Sequence, residues 1–216
     1  MDIRELHRAL VDLHGQPDQA YSEDGVRQLL TTILSQNVTG EQTARAAENL
    51  FQTYPDYRAI EEADHDELAE VISAAGLMNQ KARRIQRSLT RIREETGGAY
   101  TLAFLEEMET AAAQDWLTDI KGIGPKTANV VLNFHFEKPT FAVDTHIERL
   151  SKRFGLIDES TTAAAAHEIL NEKIPDDIKY SLHVLLITHG REYCTAQNAD
   201  CDNPVCERYC DCPYCE

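Results

Sequence analysis

No cysteine occurs in this chain before residue 194, which excludes a scaffold of disulfides spread through the fold. No run of about 18 apolar residues occurs either, so a membrane-crossing helix is not expected. The start, "MDIRELHRALVDLHG", carries acids in an amphipathic pattern rather than a basic stretch followed by an apolar one. A cytoplasmic, soluble protein without a membrane partner is the expectation. Positive charge is scarce: 21 Lys and Arg stand against 37 Asp and Glu, a formal net charge of -16. The mean field therefore repels nucleic acid unless charge is unevenly placed. Strands are lacking too, because the β-branched runs are short. Low-complexity tracts, long linkers and repeats of fixed period are absent, so two lobes, if present, share a tight interface.

What is present reads as helix. Val26 to Ser35, Glu41 to Tyr54, Asp66 to Ala75, Asn79 to Glu95, Pro125 to Phe134, Thr145 to Phe154, Thr161 to Lys173 and Asp176 to His189 show apolar residues at three and four spacing. Breaks fall at "YPDY", "AAGLMNQ", "ETGGAY", "KGIGP", "FEKPT" and "KIPDD". The 216 residues suffice for one large domain or two small ones. Charge is indeed uneven, since Lys81 to Arg93 holds six basic residues and no acid while Asp56 to Glu70 is strongly acidic. A solvated helix face explains the basic run unless something else points at phosphate. An acid surplus also suits a salt-rich cytoplasm, where screening acts within about 3 Å at 1 M.

The segment "LTDIKGIGPKTANVVL", Leu117 to Leu132, holds two glycines one residue apart before Pro125 and Lys126. A dinucleotide fingerprint needs a preceding strand and a third glycine, and a nucleotide-triphosphate loop needs four residues between its glycines. Both fail on spacing. A helix ending near Ile120, a tight turn through Gly122 and Gly124 at positive φ, and a helix opening at Pro125 make a helix-hairpin-helix. Leu117, Ile120, Ile123, Ala128 and Val131 would form its small core. Its free amides would point outward at a nucleic-acid phosphate, a contact that does not read sequence. An ordinary glycine-capped helix connection is the simpler alternative. By residue type alone, Lys126 is most simply one more phosphate-binding lysine. In the field of a helix N-terminus a lysine amine can instead serve as a nucleophile toward an aldehyde or sugar carbon.

"GIGPKTANVVLN", followed by "FAVDTHIERLSKR" and by "HGREYC", closely resembles the endonuclease III family of DNA glycosylases. "ILSQNVTGEQTA" and "AAGLMNQKARRI" match earlier segments of that family, so the resemblance runs from about Val26 to Cys212. It implies an all-α, two-lobed fold. One lobe, residues 25–137, carries the hairpin, and residues 1–24 with 138–216 form the other. Double-stranded DNA with a damaged base or abasic site would lie across the groove, its nucleotide flipped out. Lys126 occupies the position of the Schiff-base lysine, which implies a bifunctional glycosylase and AP lyase of base excision repair; oxidised pyrimidines as the substrate rest on the family likeness alone, and a monomer is expected. Asp144, in "VDTH", falls at the catalytic aspartate, and it also suits an N-cap for the helix beginning at Thr145. Asn37 stands where the family fills the gap left by the flipped nucleotide. Leu77 resembles its wedge into the opposite strand, with buried packing as the alternative. His146 would support Asp144 or DNA phosphates. The wedge loop turns Lys81 to Arg93 into a candidate backbone contact.

All six cysteines, Cys194, Cys201, Cys206, Cys210, Cys212 and Cys215, crowd one tail, which suits a metal or cluster site. The family spaces its [4Fe-4S] ligands by six, two and five residues. Cys194, Cys201, Cys206 and Cys212 match the outer gaps, while the middle gap is two residues longer. Four thiolates suit an iron-sulfur cluster. The insertion and the extra pair, Cys210 and Cys215, leave other ligand sets open, and the "CPYC" spacing suits tetrahedral zinc as the alternative. A non-catalytic helix-hairpin-helix DNA-binding protein would explain Gly122 to Lys126 but not "VDTH". A metal-binding interaction protein would explain only the tail. Mismatch or oxidised-purine specificity are the alternatives within the glycosylase reading.

Overall fold

The computed structural model describes residues 2–197 and 199–210. Twelve α-helices follow one another among them, with no strand. They are α1 (Ile3–His14), α2 (Gly25–Leu34), α3 (Gly40–Thr53), α4 (Tyr57–Glu62), α5 (His65–Val71), α6 (Met78–Glu95), α7 (Thr110–Asp119), α8 (Pro125–Phe134), α9 (Thr145–Arg153), α10 (Ala163–Lys173), α11 (Lys179–Glu192) and α12 (Pro204–Tyr209). The chain divides into two compact units: Tyr21–Lys138 is one, and the segments up to Ala20 and from Pro139 onward form the other.

Aspartates start many of the helices. Asp2, Asp24, Asp56, Asp64 and Asp144 each accept hydrogen bonds from first-turn amides of α1, α2, α4, α5 and α9. Each such cap stabilises its helix by about 1 kcal/mol. Thr39 and Gln42 close a capping box on α3. Part of the acid surplus is thus helix punctuation.

In the Tyr21–Lys138 unit, Val26, Leu29, Leu30 and Ile33 turn one face of α2 into the core, against α3, α6 and α8. Leu117, Ile120, Ile123, Ala128 and Val131, the expected hairpin core, are all buried there. Burying each of the Leu, Ile and Val side chains among them stabilises the fold by about 1.5–3 kcal/mol. In the other unit, α1 lies on α11 and α12, and α11 packs on α9. Leu6, Leu10, Ile147, Leu150, Leu182 and Leu186 meet Cys194, Val205 and Cys206 in its core.

Three expectations are corrected. The helix predicted over Asp66–Ala75 ends at Val71 and is followed by a 3₁₀ turn, Ser73–Ala75, that leads to Gly76 at φ 61. Asp176–His189 is likewise a 3₁₀ turn, Asp176–Ile178, and then α11, which runs on to Glu192. "YPDY" contains a helix start, because α3 ends at Thr53 ahead of Pro55 while Asp56 caps α4.

Candidate active site

The hairpin is built from α7, the turn 120–124 and α8. The Ile123 amide donates to the Ile120 carbonyl at 2.9 Å, and the Ala128 amide returns to the Gly124 carbonyl at 3.1 Å. Gly122 holds φ 103, and a Cβ there would stand 2.7 Å from Cγ of Arg84. Gly124 departs from expectation: its φ is -102, an ordinary extended value, and a Cβ on it would meet nothing within 4 Å. The residue is required neither by backbone sign nor by intramolecular crowding. No side chain caps α8. Its first-turn amides are left to an external acceptor, as at other anion-binding helix starts. Lys126 sits half-buried in that first turn, and Thr127 beside it is buried.

Two further loops of this unit are fastened to the hairpin. Asn37, after α2, is exposed at φ 58. Leu77, before α6, is exposed to 52% at φ 48. The packing alternative for Leu77 is therefore overturned, since a leucine that open contributes little to the core. The Lys81 ammonium is completely buried and donates to the carbonyls of Leu34, Gln36 and Ala75. Arg84 donates to the Gln36 side-chain carbonyl, whose amide nitrogen donates to Thr127 Oγ1 at 3.1 Å. The pattern of the sequence did not single out Gln36, Arg84 or Thr127. The basic run also reads differently: Lys81 is internal, Arg91 pairs with Glu95 and Arg93 with Glu61, leaving Arg83 and Arg87 exposed.

In the other unit, Asp144 is the N-cap of α9 and its Oδ1 accepts from the Ile147 amide at 2.8 Å. It is half-buried, so one carboxylate oxygen is committed to the cap while the group stays accessible. His146 accepts at Nδ1 from Arg149, which also donates to the Gly190 and Cys194 carbonyls. Arg153 donates to the Cys194 sulfur and the Thr195 carbonyl, both at 2.9 Å. The far end of α9 therefore grips the start of the cysteine segment.

Cys194 and Cys206 are buried, and Cys201 and Cys210 pack at the edge of the same core. The Cys206 thiol and the Arg153 guanidinium hold Cys194 down to about 6, and its bond to Cys194 pushes Cys206 up. Two buried, unoxidised cysteine sulfurs beside one another fit a thiolate-bound metal group as a donor set. Among the described residues no three His, Cys, Asp or Glu side chains are gathered as a metal site. Cys212 and Cys215 lie outside the described residues. A surface cavity of about 530 Å³ is lined by Glu23, Asp24, Glu106 and Glu137 among others and by none of the candidate residues. No described helix is long and apolar enough to cross a membrane.

Residues 30–176 match the HhH-GPD superfamily of base excision DNA repair proteins. The Thermotoga maritima protein named endonuclease III is 32% identical over 209 residues, covering 97% of this chain and 92% of that one. Two solved structures, a non-covalent endonuclease III–DNA complex and a trapped endonuclease III–DNA covalent intermediate, each align with a TM-score of 0.82 at 27% identity. Each alignment covers 97% of this chain and 94% of the other. The chain therefore belongs to the HhH-GPD superfamily of base excision DNA repair proteins and is a DNA glycosylase.

Proposed function

We propose that the protein is bifunctional, a glycosylase and AP lyase that removes oxidised pyrimidines from double-stranded DNA as a monomer. The observation that carries this reading is Lys126, an amine held half-buried in the first turn of an uncapped helix, directly beyond the glycine turn. The trapped covalent complex of endonuclease III supports it by likeness.

The amides of α8 would hold one DNA phosphate, and the open space beside Gly124 would let that phosphate approach the backbone. Asn37 and Leu77 would enter the duplex from their exposed loops, the first filling the vacated stack and the second wedging the opposite strand. The neutral Lys126 Nζ attacks C1′ and forms the N–C1′ bond as the C1′–base bond breaks, the base leaving with a proton. Ring opening, with a proton delivered to O4′ as the C1′–O4′ bond breaks, gives a protonated imine. Loss of a C2′ proton then expels the 3′ phosphate, and water hydrolyses the imine to free Lys126. Asp144 would accept a proton from the Lys126 ammonium before attack and return it to O4′ on ring opening, and its carboxylate form would stabilise positive charge at the sugar. His146 would steady the start of α9 through Arg149.

Cys194, Cys201, Cys206 and Cys212 would hold a [4Fe-4S] cluster, whose contribution when bound is to fasten the segment that α9 grips. Iron and sulfide analysis of the purified protein should return cluster stoichiometry, whereas stoichiometric zinc would reject it. The lyase reading is tested by hydride reduction on a duplex containing an oxidised pyrimidine. Wild type should be trapped covalently and Lys126→Ala should not; equal trapping of both, or of neither, would reject the mechanism. Preference for an oxidised purine or a mismatch in a lesion panel would reassign the substrate.

A further inference from the structure

Lys81 is the least explained charge in the molecule. It has no exposed surface, and its three N–H donors all go to backbone carbonyls: Leu34 at 2.8 Å, Gln36 at 2.7 Å and Ala75 at 2.6 Å. An ammonium has three donors and no acceptor, so the set is complete. Burial, with Arg84 nearby, brings Lys81 down to about 8, so keeping it charged is costly. For packing alone, an apolar side chain of the same length would serve without that cost.

The carbonyls it gathers are not equivalent to any three. Leu34 is the last residue of α2, Gln36 directly precedes Asn37, and Ala75 lies two residues before Leu77. Asn37, Gly76 and Leu77 all hold positive φ, at 58, 61 and 48. Such conformations are disfavoured for side-chain-bearing residues and persist only where the surroundings over-determine them. The two loops are neighbours, since a Cβ on Gly76 would stand 3.7 Å from a Val38 methyl. One turn further along α6, Arg84 fixes the Gln36 side chain, which in turn reaches Thr127 of the hairpin.

We propose that Lys81 is a positioning residue, which ties the Asn37 loop to the Leu77 loop so that both side chains enter the duplex at one fixed separation. This rests on the reading that Asn37 and Leu77 are the inserting residues. Lys81 touches no DNA itself. It sets the geometry of the two residues that do, and it acts on recognition of the extrahelical nucleotide rather than on the chemistry of Lys126.

The test uses full-length protein and a duplex bearing a tetrahydrofuran abasic analogue opposite 2-aminopurine, whose fluorescence rises when it is unstacked. Lys81→Met should bind undamaged duplex as wild type does, while the fluorescence rise is lost and preference for the analogue over undamaged duplex falls about tenfold, the scale of one or two hydrogen bonds. Leu77→Ala should lose the same signal, and Lys81→Met placed on Leu77→Ala should cost nothing more, because both act through one insertion. Additive losses, or a normal fluorescence rise in folded Lys81→Met, would overturn the proposal. A normal rise in Leu77→Ala and Asn37→Ala would instead reject the insertion reading beneath it. Should Lys81→Met fail to fold, Lys81→Gln, which keeps an amide donor, is judged by the same outcomes.

Discussion

Gly122 and Gly124 differ in what they are for, and single methyl groups separate the two. Gly122→Ala places a Cβ at φ 103 and 2.7 Å from Arg84 Cγ, so it should cost at least ~1–2 kcal/mol, read as a lowered thermal midpoint. Gly124→Ala adds a Cβ into open space at an allowed φ, so the midpoint should hold while duplex binding weakens. Asp144 separates in the same way. Asp144→Asn keeps a capping oxygen and should leave stability nearly unchanged while base release collapses, whereas Asp144→Ala should also lose about 1 kcal/mol of stability. Lys81 shows what a charge count hides. It is in register with Ile85, Leu89 and Ile92 on the buried face of α6, four, eight and eleven residues along. That spacing was in the sequence, but the neighbouring arginines made the run look like one exposed stripe.

At the scale of elements, α1 carries a pH-sensitive contact. His7 Nε2 meets Ser181 Oγ of α11 at 2.7 Å, and burial lowers His7 below its ordinary 6.5, with Arg4 lowering it further and Asp177 opposing. The unfolded chain thus takes up the proton at higher pH than the folded one. Stability from this group is complete above about 6.5 and is lost as pH falls through that value. A thermal-midpoint series from pH 7.5 to about 5 should decline in wild type and decline less steeply in His7→Gln, whose amide can still reach Ser181, the remaining slope coming from His14 and His189, which burial also lowers. The helices themselves were mostly legible from three and four spacing, and α8 starts and stops at the predicted residues because Pro125 and the apolar pattern agree. The short α4 and α12 were not. Six residues give one turn and a half, too few for periodicity, and their caps, Asp56 and Asn203, look like ordinary turn residues. The hairpin was legible from glycine spacing, and Lys126 and Asp144 were singled out as candidates by motif likeness. The ties among Gln36, Arg84 and Thr127 were not, because side chains 91 and 48 residues apart leave no local pattern.

For the whole molecule, a net charge of -16 is compatible with duplex binding where basic residues are locally concentrated or where the grip relies little on cations, and the uncapped start of α8 favours the second. Backbone amides supply such a grip, for they carry no net charge and release few counter-ions. Binding should show a shallow salt dependence, since each phosphate neutralised by a cation steepens the log–log slope by about 0.9. Lys121, exposed in the hairpin turn, is the comparison: Lys121→Ala should lower the slope, while Gly124→Ala should weaken binding with the slope unchanged.

The aspartates at helix starts also limit how this surface can be redesigned. An engineer seeking tighter, less selective DNA capture by charge reversal would find Asp2, Asp24, Asp56, Asp64 and Asp144 unusable, each being a structural fastening as well as a negative charge. Exposed glutamates such as Glu70 and Glu107 cap nothing and stand in no helix's first turn, and they are the positions where the sign of the surface can be rewritten without loosening a helix.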